Sequence, residues 1–423
     1  MRIPQTTLFA ALAIVLLTSC SDRDPVTLPE IDTSASPSGI VALPDDVPRV
    51  FRDYFLKYTK YIAPNGKPIH ILAQDGWTDD QIKHGRNVLQ HLLTDFPGSL
   101  YGHDKNPVAN AMADVKATMV FFNTEEDLND AMRAGLGQAT DLSMQDLRAN
   151  ESPAVGDKDY MGHVTRDAAY EEVWHLVHDY GIKPTLPDMI AEMRTANDAA
   201  AANGWQAWPE DEPDEHPNEF VGVLIDNYYD LWAVTPALYE GREIESGDVP
   251  EGHSHFGRFF ANSRARVQED APLGYALIEK FFQPYLTYTP ELPEAFAGTF
   301  SMTLDPAQAY THKSQHLRNA TLTGSRDANL TGNRHDNVLS GNAGNNRLEG
   351  GGGNDELLGG AGEDTAAFAG PAAEYNIVYN SDSVTVSDLL EDRDGTDLLR
   401  GFELLSFSDS SVQLRPEDAA GTN

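Results

Sequence analysis

The 423-residue chain has one cysteine, Cys20, which excludes disulfides within the chain and thiolate metal sites. Positive charge is scarce as well: 30 Lys and Arg face 66 Asp and Glu, a formal net charge of −36. Nucleic acid is excluded as a partner, because its phosphates would be repelled. The apolar run Leu8 to Leu17 is too short to span a membrane. Preceded by Arg2, it has the shape of a secretory signal.

That run ends in Leu17-Thr18-Ser19-Cys20, which resembles the bacterial lipobox. The resemblance implies a signal peptide at 1–19, cleavage before Cys20 and lipidation of its thiol. Ser21, rather than Asp, follows the cysteine. By family habit this points to an outer-membrane lipoprotein of the bacterial cell envelope, held by its N-terminal lipid, with a surface-exposed orientation left open. Residues 20–49 are rich in Pro, Ser, Thr and Asp without hydrophobic periodicity, and read as a flexible tether.

Residues 50–310 are enough for one sizeable domain with its own core. Pro64-Asn65-Gly66 is a turn signal between the strand-like Tyr58–Ile62 and Ile69–Leu72. Thr78 precedes a helix-like run, Asp79–Leu93, with apolar Ile82, Val88, Leu89 and Leu92. Ala117–Phe122 reads as a buried strand, and Thr124 caps a following helix. Strands alternate with helices first and helices dominate later, so the expectation is an α+β, helix-rich fold.

The stretch Asp167 to Gly181 reads as a helix closed by its C-terminal glycine. At about 100° per residue, Glu171, His175 and His178 share an arc of about 60°, with Glu172 and Asp179 at its edge. Ala169, Tyr170, Val173, Trp174, Leu176, Val177 and Tyr180 take the opposite side. Two imidazoles and three carboxylates without Lys or Arg suggest a metal or acid/base site, beside the blander reading of an acidic surface helix. From Glu219 to Trp232 the same wheel aligns Glu219, Asp226 and Asp230 in an otherwise apolar, hence buried, helix. Buried carboxylates need cations, hydrogen bonds or protons, and a metal shared between the two helices would supply the need.

Glu171-Glu172-Val-Trp-His175 resembles the HExxH helix of zincin metallohydrolases with its first histidine replaced by glutamate. Glu219, 44 residues beyond His175, is similar to the second-helix glutamate of the gluzincin branch. The resemblance implies zinc held by Glu171, His175 and Glu219, with Glu172 as general base. His178 is an alternative ligand, and Asp226 and Asp230 would orient ligands from behind. A Glu-His-Glu set is harder and more anionic than the family's two-histidine set, which weakens zinc selectivity.

Other candidates read more simply as structural. Trp205 and Trp208 could line a cleft, and the acidic run Glu210 to Glu215 is a solvated loop. His253, His255, His312 and His316 read as exposed, and Arg166 as a partner in a structural ion pair.

From Thr323 the composition shifts to Gly, Asn and Asp with a period of nine, in units starting at Gly341, Gly350 and Gly359 and, less regularly, Gly332. These units resemble the RTX, or haemolysin-type, calcium-binding nonapeptide of parallel β-rolls. The resemblance implies an all-β roll at 321–367, closed by capping strands at 368–415. Gly351, Gly353, Gly360 and Gly362 make the tight turns and lend carbonyl oxygens. Asp355 and Asp364 occupy the carboxylate position, Asn337 and Asn346 fill it with a neutral oxygen, and Leu339, Leu348 and Leu357 stack inside. Ala328 and Ala366 depart from the pattern, so two to three good sites are expected.

Together these readings give a calcium-binding RTX lipoprotein with a zinc-dependent, peptidase-like hydrolase domain. The rival is a non-enzymatic adhesion protein whose partner is an extracellular or periplasmic protein or matrix ligand.

Overall fold

A computed structural model describes residues 24–204, 215–239, 242–244 and 261–414. The signal segment with Cys20, Trp205, Trp208, the acidic run up to residue 214, and His253 with His255 lie outside them. Among the described residues, no helix is long and apolar enough to cross a membrane.

Five strands form the first sheet in sequence order: β1 (Val41–Ala42), β2 (Lys57–Ile62), β3 (Pro68–Ala73), β4 (Ala117–Phe122) and β5 (Ser143–Arg148). The β1–β2 and β2–β3 pairs are antiparallel, and β3, β4 and β5 run parallel. A crossover helix, Asp79–Leu93, starts at Thr78, whose side chain and that of Gln81 form the capping box the sequence suggested. Every residue of β4 is buried, so both faces of the sheet must be covered. Met119 and Phe121 point into the core shared with the helices, whereas Val120 and Phe122 face a second apolar cluster.

That second cluster corrects the expected tether. Leu28, Ile31 and Val47 are buried in it, Val41–Ala42 adds a strand edge, and Val26 bridges to Thr140. The segment is irregular, so it carries no periodic signal, yet it covers a sheet face that would otherwise meet water. Residues 24–48 are part of the fold.

The helix expected to end at Gly181 does not end there. It is α-helical over Ala169–Val177, widens into one π-turn at His178–Ile182, and continues to Thr185. A Cβ on Gly181 would lie 2.6 Å from Val108 Cγ1, so the glycine lets the Asn106–Asp114 helix approach rather than stopping the chain. This central helix packs against Asp79–Leu93 on one side and His216–Tyr228 on the other. Trp174, fully buried between them, donates its indole N–H to Asn218 O at 3.1 Å.

The C-terminal part winds differently. Strands Asn319–Leu322, Val338–Ser340, Glu356–Leu358 and Thr396–Arg400 pair in parallel in one sheet; Ala328–Thr331, Arg347–Glu349, Thr365–Ala367 and Leu404–Ser406 do so in another. Successive strands alternate between the two sheets, which fits a β-roll. Two boundaries differ from expectation. Glu291–Leu292 and Gly298–Ser301 already pair with the first roll strands, so the winding begins before residue 310. The 368–415 segment is also more than a cap, because two of its strands extend the parallel ladders. A hairpin, Tyr375–Tyr379 with Val384–Asp388, branches off between them. Leu330, Leu348 and Ala366 stack in one sheet and Leu339 and Leu357 in the other, all buried in a double file inside the roll. One apolar cluster runs from the central helix into this file.

Candidate metal centres

In the first region, Glu171 and His175 lie one turn apart on the central helix, and Glu219 reaches them from the first turn of His216–Tyr228. One donor atom from each falls within 4.8 Å of the others, and all three are buried. Gly222 lies against this group: a Cβ there would sit 3.2 Å from Glu171 Cγ, so that side chain would have to shift by a few tenths of an ångström.

The group is short of partners. Both Glu219 carboxylate oxygens, Glu171 Oε1 and His175 Nδ1 make no hydrogen bond, and His175 Nε2 is 3.7 Å from Glu219 Oε1. Burial lifts the Glu219 carboxyl to about 7, with the His175 charge pulling the other way. Burial would depress His175, but Glu219, Glu172 and Glu171 reverse this and raise it to about 9. Without an ion the imidazole holds a proton that a metal would displace. These four unpartnered N and O atoms, from three residues on two helices, fit a divalent cation.

The remaining expected residues separate. Glu171 Oε2 accepts from Arg166 at 2.7 Å, and Arg166 also lies 3.9 Å from Glu151, so Arg166 is in the ion pair anticipated for it. His178 falls on the π-turn, where its ring faces Trp174 and its Nδ1 is 2.9 Å from Asp179 Oδ1; it is not among the three clustered donors. Glu172 turns toward β5 and accepts from Gln145 Nε2 at 2.8 Å. Burial, then the Asp146 charge, raises its carboxyl well above the usual range, while Asp146 itself rises to about 6 through burial. Gln145 and Asp146 went unnoticed in the sequence because a strand and a helix far apart in the chain bring them to Glu172.

Asp226 is fully buried and neither of its carboxylate oxygens has a partner. Asp230 leaves the seam: its backbone turns left-handed at φ +56°, and its Oδ2 sits 2.7 Å from His316 Nε2. The wheel failed here because the helix ends at Tyr228. His312 and His316 are buried rather than exposed, His312 edge-on to His163 with ring centroids 4.5 Å apart.

In the roll, Gly351, Gly353, Gly360 and Gly362 all have φ between +85° and +128°, the left-handed turns expected of them. Asp355 Oδ1 accepts from Asn337 N–H at 2.7 Å and Asp364 Oδ1 from Asn346 N–H at 2.8 Å. Their Oδ2 atoms are buried without partners. Burial pushes Asp355 up to about 7 and Asp364 upward as well. Hard oxygen donors left unpaired inside glycine turns suit calcium.

Residues 331–366 match the family described as RTX calcium-binding nonapeptide repeat, in 4 copies. The chain thus carries calcium-binding repeats of a kind found in secreted and surface proteins. No curated protein matches it. Among solved structures it is similar to an extracellular lipase, LipA from Serratia marcescens, at 11% identity and a TM-score of 0.24. The alignment covers 83% of this chain and 54% of that one, so the chain spans about half the length of the lipase.

Proposed function

We propose that this is a cell-envelope lipoprotein, anchored through Cys20 and facing a calcium-rich exterior, whose helical domain is a zinc-dependent hydrolase of peptidase type. The observation that carries the catalytic part is the convergence of Glu171, His175 and Glu219 donor atoms within 4.8 Å. A bound zinc ion would supply Lewis-acid polarisation of a carbonyl and a more acidic water. Glu172, oriented by Gln145, would take and return the proton.

A second reading has its own observation. The 2.7 Å pair between Arg166 and Glu171 already neutralises one of the three donors, which favours a non-enzymatic, calcium-dependent adhesion protein with a degenerate metal site.

Metal content separates the two. The intact chain, purified without chelators, should hold about one zinc, lost in His175→Ala. Glu172→Gln should keep the zinc and lose peptide turnover by about 100-fold or more. A wild-type protein free of transition metal would overturn the hydrolase. Radiolabelled palmitate that still enters Cys20→Ala would remove the anchor.

A further inference from the structure

The ladder of site residues in the roll does not stop where the repeats stop. Glu356 pairs with Leu398 and Thr365 with Leu404, so the residues just before them stack as well. One edge of the roll therefore carries Asn337, Asp355 and Asp397, and the other Asn346, Asp364 and Glu403. The hydrogen bonds repeat in step: Asp355 N–H donates to Asp397 Oδ1 at 3.0 Å, and Asp364 N–H to Glu403 Oε2 at 2.7 Å. Asp397 and Glu403 lie outside the matched repeats, beyond the hairpin excursion. Even so, Gly395-Thr396-Asp397 reproduces the Gly-x-Asp of Gly353-Asn354-Asp355, with Gly395 also left-handed at φ +74°. The carbonyl stack continues too. A Cβ on Gly359 would meet Gly401 O at 1.9 Å, just as one on Gly341 would meet Gly359 O at 2.0 Å.

Asparagine and aspartate behave differently along these ladders. Asn337 Nδ2 donates to Arg318 O at 2.9 Å and to Asn333 Oδ1 at 3.2 Å. Asn346 Nδ2 donates to Ala328 O at 2.9 Å and to Asn342 Oδ1 at 3.1 Å. Each amide ties off oxygens that a cation would otherwise collect. A carboxylate has no proton to offer them. Asp355 and Asp364, 2% and 1% exposed, accordingly keep an orphaned Oδ2. The charges facing Asp355 and Asp397 come from other aspartates, Asp336 and Asp394 among them.

We propose that calcium binds only at the C-terminal coils of the roll, one ion held by Asp355 and Asp397 and one by Asp364 and Glu403, while asparagine amides close the coils before them. This rests on the calcium reading of the repeats and adds ligands that no repeat contains.

Calorimetric titration of the EDTA-stripped intact chain with calcium chloride tests it. Asp397→Asn and Glu403→Gln should each lose one ion relative to wild type, or bind it at least about 10-fold more weakly. Asn346→Asp should gain one, because a carboxylate cannot staple the carbonyls. A thermal melt guards against misfolding: in EDTA, Asp397→Asn should melt no lower than wild type, yet show a smaller rise on adding calcium. Wild-type ion number and affinity in both acid variants, or an unchanged count in Asn346→Asp, would overturn the proposal. A wild-type chain that binds no calcium would sink the calcium reading itself, and the proposal with it.

Discussion

The helical site and the roll both bury carboxylate oxygens without partners, but they stand on different foundations. Glu171, His175 and Glu219 project from helices embedded among Tyr170, Trp174, Phe220 and Leu224, all nearly or fully buried. That packing exists whether or not an ion is present. In the roll each sheet offers about one buried aliphatic residue per strand, such as Leu348 or Leu357, and the turns carry the donors. With so thin a core, neutralising the acidic turns is a large share of the folding free energy, so ion binding and folding become one equilibrium. A similar chemical deficit is thus a local matter in one region and a global one in the other.

Calcium removal should expose this contrast most strongly. At a concentration about 100 times its dissociation constant, each ion adds about 2.7 kcal/mol to the folded state. Chelation should therefore lower the thermal midpoint of the roll's β-type circular dichroism sharply and leave that of the tryptophan emission nearly unchanged, since all five tryptophans precede residue 233. A simultaneous loss of both signals would break the comparison and show that the apolar cluster joining the two parts makes them one cooperative unit.

A core truncation comes next. Leu357→Ala, in a fully buried position, should cost about 2–5 kcal/mol in urea unfolding with calcium present. His175→Ala should shift the unfolding followed by tryptophan emission much less. Equal costs would mean that the helical site also supports its own fold.

The smallest effect is a difference in slope with pH, in EDTA. His70 and His91 are held by burial at about 4 and about 3, below the ordinary 6.5. The stability from keeping them neutral is present above pH 6.5 and lost as the pH falls toward 4 and 3. Asp355 and Asp397 are raised by burial to about 7 and about 9, from 3.8. Their protonated forms stabilise the metal-free roll below pH 4, and that contribution is lost as the pH rises through 7 and 9. Between pH 4 and 6.5 the dichroism-reported midpoint should fall, while the tryptophan-reported one should move less, because the gain from His70 and His91 is opposed there by the raised Glu219 and Asp146 carboxyls. Parallel slopes would remove the distinction.

Much of this was legible in the sequence wherever a short-range rule governs. The hairpin at Asn65-Gly66, the Thr78 cap, the buried β4, and the one-turn spacing of Glu171 and His175 depend on neighbours a few residues away. The nine-residue period carried the roll for the same reason, because each coil repeats its own turn chemistry. Reading failed where the partner was distant. Residues 24–48 looked like a linker because their apolar side chains have no period, only a sheet face to cover. Asp230 was placed on a seam that the helix end removes.

By itself, then, the sequence determined which residues could bind ions and how they recur along the chain, since donor chemistry and local periodicity are written in order. Only the tertiary structure decided which donors are left without partners. It turned Glu172 toward Gln145, gave Glu171 an arginine, satisfied Asn337 and Asn346 through their own amides, and placed Asp397 beside Asp355 across a 42-residue separation. The physical reason is that an unpaired buried charge is defined by everything packed around it, and no stretch of chain carries that information alone.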